Sequence, residues 1–180
     1  MYNIFGMLKP QDIVILLKLC GYRNSERPSY SQLAAELDMS ASEIHAGVKR
    51  LKVSKLLHGS ELEEKPSFPA VKEFLIHGFK YSFPSVRGAL TRGMPTSYAA
   101  RPLADQIAAG SEPVPVWPDM LGEVRGIALS PLYRSVPEAA RRDPLLYQRL
   151  ALLDAIRDGR ARERKLAEKA LIESFSNSDE

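Results

Sequence analysis

Residues 29–57, SYSQLAAELDMSASEIHAGVKRLKVSKLL, decide how this chain is read. Leu33, Ala34 and Leu37 fall on one stripe at helical spacing, with a hydroxyl at Tyr30-Ser31 near the start and Glu36 further in. Asp38-Met39-Ser40 then breaks the period, and Met39 is the apolar plug that a tight turn between two helices needs. Ser40 and Glu43 spell Ser-x-x-Glu, a capping box that starts a second helix. Ile44, Val48, Leu51 and either Val53 or Leu56 line the inner side of that helix. Ser42, Glu43, His45, Ala46, Lys49, Arg50 and Lys52 are left on its open, basic side.

The flanks extend the pattern. Pro10 suits the first turn of a helix through Gln11–Leu19, whose Ile13, Leu16, Leu17 and Cys20 form a broad apolar face closed by Gly21. Before it, residues 1–9 form a short arm with apolar Tyr2, Ile4, Phe5 and Leu8, and a polar loop at 23–28 follows it. After Leu57 comes a polar stretch whose Glu61, Glu63 and Glu64 read as a solvated acidic loop. A further helix is expected from Pro69 to Phe79, then a strand over Phe79–Phe83 (FKYSF) from its aromatic/polar alternation, with turns at 84–88 and 91–93.

The pieces SYSQLAAELDMS and SASEIHAGVKRL resemble the positioning and recognition helices of bacterial winged-helix regulators, over roughly residues 10–84. The resemblance implies a domain that lays its second helix in the major groove of double-stranded DNA. Ser42, His45 and Ala46 would approach base edges, Lys49, Arg50 and Lys52 would meet phosphates, and Ser40 and Glu43 at the helix start would belong to the same DNA-binding set. Lys80, Arg87 and Arg92 would flank them on a wing built from the FKYSF strand, which enters later than in the simplest family pattern. The overall layout and the stretch HGFKYSFP also resemble antitoxin-type autoregulators, which implies a toxin-like partner protein.

The rest of the chain changes character. Six prolines, Pro84, Pro95, Pro102, Pro113, Pro115 and Pro118, rule long helices out of 84–122, leaving only a short helical turn at 103–109. Trp117, in the extended run VPVWPDM, either straps a partner or anchors this loop to its own domain; 122–129 reads as a strand that could pair with FKYSF. The C-terminal part is helical. A short helix opens at Val136, Asp143-Pro144 caps a second with Leu145, Leu146, Leu150, Leu153 and Ile156 inward, and a third fills 160–175. Trp117, Leu146, Leu150 and Leu153 are the candidate partner surface, for a second copy or another protein. Arginines 141, 142, 149, 157, 160, 162 and 164, interleaved with acids, read as solvated helix faces.

The expected fold is α+β, mainly α with a small β wing. It divides into a winged helix-turn-helix at 1–94, a proline-rich connector at 95–130 and a helical dimerisation or partner-binding region at 131–180. A net charge of +3 permits nucleic acid as a partner, and one cysteine, Cys20, excludes an internal disulfide. The opening residues lack a signal-peptide pattern, so a cytoplasmic, non-membrane protein is expected. His45, His58 and His77 are scattered, His77 reading as structural, and no catalytic or phosphate-cradling motif is present. No enzyme activity, metal or cofactor is therefore expected. The functional expectation is a sequence-specific transcriptional repressor acting as a homodimer; the alternative is a protein-interaction adaptor or antitoxin in which DNA binding is secondary or absent.

Overall fold

The structure is a computed structural model that describes residues 7–22, 26–61, 63–108 and 110–176. Residues 1–6 of the N-terminal arm, with Tyr2, Ile4 and Phe5, residues 23–25 of the loop at 23–28 and the last four residues lie outside these. Three helices open the chain: α1 (Pro10–Leu19), α2 (Tyr30–Leu37) and α3 (Ala41–Val53). A minimal antiparallel ladder follows, β1 (Leu57–His58) against β2 (Lys65–Pro66). Next come α4 (Phe68–Glu73), a π-helical turn at Phe74–Gly78 and α5 (Phe79–Ser82), which together make one helical stretch. Strands β3 (Arg87–Pro95), β4 (Pro115–Pro118) and β5 (Val124–Leu129) precede α6 (Val136–Arg142), α7 (Pro144–Asp158) and α8 (Ala161–Ser176). The fold is α+β.

Two helices organise the core. Residues 13–17 of α1 are buried on every side, so α1 packs on α3, α2 and α7 at once. In α7, Leu146 and every residue from Arg149 to Ile156 are buried, between α1, α6 and α8. A single apolar cluster runs from Ile13 to Phe175 and crosses the sequence boundaries drawn at 94 and 130. Buried charge fastens these layers. Lys18 of α1 meets Glu36 of α2 and Asp143, the N-cap of α7, each at 2.7 Å. Burial alone would lower the Lys18 pKa, but the two carboxylates reverse this and raise it.

The β unit closes on itself. β3 pairs antiparallel with both β4 and β5, and β4 pairs in parallel with β5. Three strands close only where backbones come very near each other. A Cβ on Gly93 would sit 2.1 Å from the Trp117 carbonyl oxygen, and one on Gly126 would sit 2.1 Å from that of Val114. Behind the unit, the carboxylate of Asp154 on α7 accepts from Thr96 Oγ1 at 2.7 Å and Trp117 Nε1 at 2.6 Å, and pairs with Arg157 at 2.8 Å.

Several expectations are corrected. FKYSF is helical: Phe79 and Phe83 lie one turn apart with ring centroids 5.7 Å apart, and Tyr81 points to solvent, so the alternation was a helix face. The 122–129 strand therefore pairs with β3, inside what read as two turns. The N-cap of α2 is Ser29, one residue before the expected hydroxyls. Of the two candidates for the end of α3's inner face, Val53 is exposed and Leu56 buried. Arg149 is buried and Arg157 half-buried, because each finds backbone or side-chain oxygens of the fold: Ser174 and Leu17 for Arg149, Asp154 and Ser130 for Arg157. His77 faces solvent.

Candidate nucleic-acid interface

The two helices of 29–57 are set by reciprocal caps. Ser29 Oγ accepts from the Gln32 amide at 3.2 Å while Gln32 Oε1 accepts from the Ser29 amide at 2.8 Å. Ser40 and Glu43 repeat the arrangement at the start of α3, at 3.2 and 2.8 Å. Between them Asp38 takes a left-handed conformation (φ 53°) and Met39 is buried, fixing the angle at which α3 leaves α2. Ile44, Gly47, Val48 and Leu51 bury the inner face of α3.

At about 100° per residue, Ser42, His45, Ala46, Lys49, Lys52 and Val53 share an outer arc of about 120°. Ser42, His45, Lys49 and Val53 are exposed, and Ala46 and Lys52 half-buried. One border of the arc is α2: the His45 ring stands edge-on to Tyr30 with centroids 5.7 Å apart. Tyr30 is itself fixed, its hydroxyl donating to Glu64 at 3.0 Å and its ring lying 4.9 Å beneath the Arg27 guanidinium. Burial, with that carboxylate second, pushes the Tyr30 phenol up to about 12. Glu64 is buried and paired with Arg27 at 3.0 Å, correcting its reading as a solvated acid.

The other border corrects the placement of two candidates. Arg50 does not join the outer arc. It turns back to Asp12 of α1, with Nε 2.7 Å from one carboxylate oxygen and its second nitrogen 2.6 Å from the other. Asp12 is fully buried, which holds the guanidinium there. Glu43 accepts a short hydrogen bond from the Tyr133 hydroxyl in the segment before α6. That bond, then the Ser40 donors, hold the Glu43 carboxyl down at about 2, so it is an anion occupied by the protein. Arg134, exposed, lies over the Tyr133 ring at 5.6 Å and faces the same corner.

The hairpin β1–β2 leaves the C-terminal end of α3, with His58 and Lys65 exposed at its base and Glu61 and Glu63 on its tip. The other cations expected to flank α3 sit on other elements. Lys80 is on α5 beside Tyr81, at 5.0 Å from its ring centroid. Arg87 is on β3 and held by Asp158 of α7 at 2.7 Å. Arg92 is exposed on β3 directly opposite Arg125 of β5. None of them belongs to a strand built from 79–83.

The expected partner surface is also corrected. Trp117, Leu146, Leu150 and Leu153 are each no more than 2% exposed. Trp117 is bonded to Asp154 and tilted against Tyr147 with centroids 5.7 Å apart, and the three leucines fill the contact of α7 with its neighbours. They form the chain's own core.

Arg134 escaped the sequence reading because nothing local marks it. It is brought to α3 by the Tyr133–Glu43 contact, which spans 90 residues of chain. Among the described residues, no group of three or more His, Cys, Asp or Glu is placed to hold a metal ion, and no helix is long and apolar enough to cross a membrane. No family model matches this chain, and neither a curated protein nor a solved structure matches it significantly.

Proposed function

We propose that this chain is a sequence-specific DNA-binding regulator with a winged-helix-like N-terminal part. The observation that carries the reading is the outer arc of α3: a doubly capped helix held by α1 and α2, offering Ser42, His45, Ala46, Lys49 and Lys52 with no acid among them. A helix of 13 residues is about 20 Å long, enough to lie along a major groove. Ser42 and Ala46 are small enough to let the helix approach base edges, His45 offers a ring nitrogen to them, and Lys49 and Lys52 suit phosphates. Ser40, its hydroxyl taken by the capping box, acts as a positioning group. The short hairpin takes the place of the wing.

A second copy, needed to read two half-sites, would dock through surfaces other than the buried leucines of α7. The adaptor reading rests on one observation: Met120 and Leu121, 93% and 73% exposed, sit on a turn fastened by the Arg141–Asp119 ion pair. Selection from a pool of random duplexes tests the two. Under the DNA reading the wild type and a Met120→Asp/Leu121→Asp variant enrich one common motif and Lys49→Glu does not. Absence of any enriched motif overturns that reading.

A further inference from the structure

We propose that Arg134 is a backbone-clamping residue of this interface, gripping a DNA phosphate beside the N-terminal end of α3. The inference rests on the DNA-binding reading and names a contact that lies outside the helix-turn-helix.

Its basis is placement. Tyr133 is tied to α3 by its hydrogen bond to Glu43, at the third residue of the helix. Arg134 is exposed, and its guanidinium lies over that anchored ring, 5.6 Å from the centroid. A guanidinium held on an aromatic face keeps its planar donors outward with fewer rotamers to lose on binding. The main chain around it is equally fixed. Ser135 is buried, the Val136 amide donates to the Tyr133 carbonyl at 3.0 Å, and Arg142 of α6 donates to the Ala35 carbonyl of α2 at 2.8 Å. The segment is thus braced to both helices of the 29–57 unit.

Charge gives the position its purpose. The Glu43 carboxylate lies at the border of the outer arc, where an unopposed anion would repel the DNA backbone. Tyr133 occupies it and Arg134 offsets its charge. The tip of the β1–β2 hairpin, at the other end of α3, carries Glu61 and Glu63 and offers phosphate little. Arg50, the strongest phosphate ligand type on α3, is engaged with Asp12. A cation at the N-terminal flank therefore comes from Arg134, and a phosphate there would also meet the positive end of the helix.

The test is fluorescence anisotropy of wild type, Arg134→Ala and Lys49→Ala on one duplex from upstream of the coding sequence and one scrambled duplex, across a salt series. Arg134→Ala, at an exposed position, should leave the melting temperature unchanged and weaken binding to both duplexes alike, by roughly tenfold. Its slope of log affinity against log salt should be shallower by about 0.9, the value of one phosphate contact. If Lys49→Ala flattens the slope and Arg134→Ala does not, the Arg134 assignment is overturned and the DNA reading stands. If the wild type binds neither duplex, or neither variant changes the slope, both fall together.

Discussion

Arg50 and Asp12 form a two-pronged ion pair between α3 and α1, with Nε and a terminal guanidinium nitrogen 2.7 and 2.6 Å from the two carboxylate oxygens. Asp12 has no exposure at all, and it also accepts from the Lys9 amide at 2.8 Å to cap α1. The pair sets α3 on α1 and so sets the direction of the outer arc. Removing one partner of a buried pair strands the other. Arg50→Ala is therefore expected to cost about 3 kcal/mol in urea unfolding, whereas Lys49→Ala, on the exposed arc, stays within about 0.5 kcal/mol of wild type.

Gly47 belongs to the same contact. A Cβ there would come 2.5 Å from Ile15 Cδ1 and 3.0 Å from Asp12 Oδ1, both on buried residues of α1. Alanine in a helix interior ordinarily gains about 1 kcal/mol over glycine. Here the clash should outweigh that gain, and Gly47→Ala should unfold at lower urea than wild type by about 1 kcal/mol. A rise in stability would show that α1 and α3 are not packed this closely.

The Tyr133–Glu43 contact predicts a pH dependence. Glu43 is held at about 2, below its unfolded value near 4.5, so the contact stabilises fully above about pH 4.5 and fades as pH falls toward 2. Tyr133→Phe should be less stable than wild type at pH 7, by roughly 0.5–1 kcal/mol. Urea unfolding of both proteins at stepped pH should show the gap closing between about pH 4.5 and pH 2. A gap independent of pH would place the effect of Tyr133 elsewhere.

Asp154 gathers Thr96, Trp117 and Arg157 around one carboxylate in the core. Burial raises its pKa, against the pull of Arg157, Thr96 and Trp117. Asp154→Ala leaves three donors without their acceptor and is expected to cost about 3 kcal/mol or more. Trp117 is the chain's one tryptophan, so its emission reports the change directly. The variant should show red-shifted emission as water reaches the indole; an unshifted spectrum would contradict the network.

Much of the helical frame was legible in the sequence because its signals are local. Pro10, the Ser40–Glu43 box, Met39 and Asp143-Pro144 each fix a helix end or turn with residues a few positions apart, and each lies where expected. The β unit was not legible, since its closure depends on Gly93 and Gly126 meeting the carbonyls of Trp117 and Val114 across the fold. FKYSF misled because Phe79 and Phe83 satisfy a period of two and a period of four equally well. The candidate site divides the same way. Helical spacing placed Ser42, His45, Ala46 and Lys49 on one arc, but only tertiary contacts remove Arg50 from it and bring Arg134 beside it.

The most direct test of the central claim is the ratio of affinities of the purified wild-type protein for its upstream duplex and for the scrambled duplex at physiological salt. A sequence-reading α3 predicts tighter binding to the first by at least about a thousandfold, with affinity for both falling steeply as salt rises. Equal, weak binding to the two duplexes would contradict it and leave α3 as a helix that only packs.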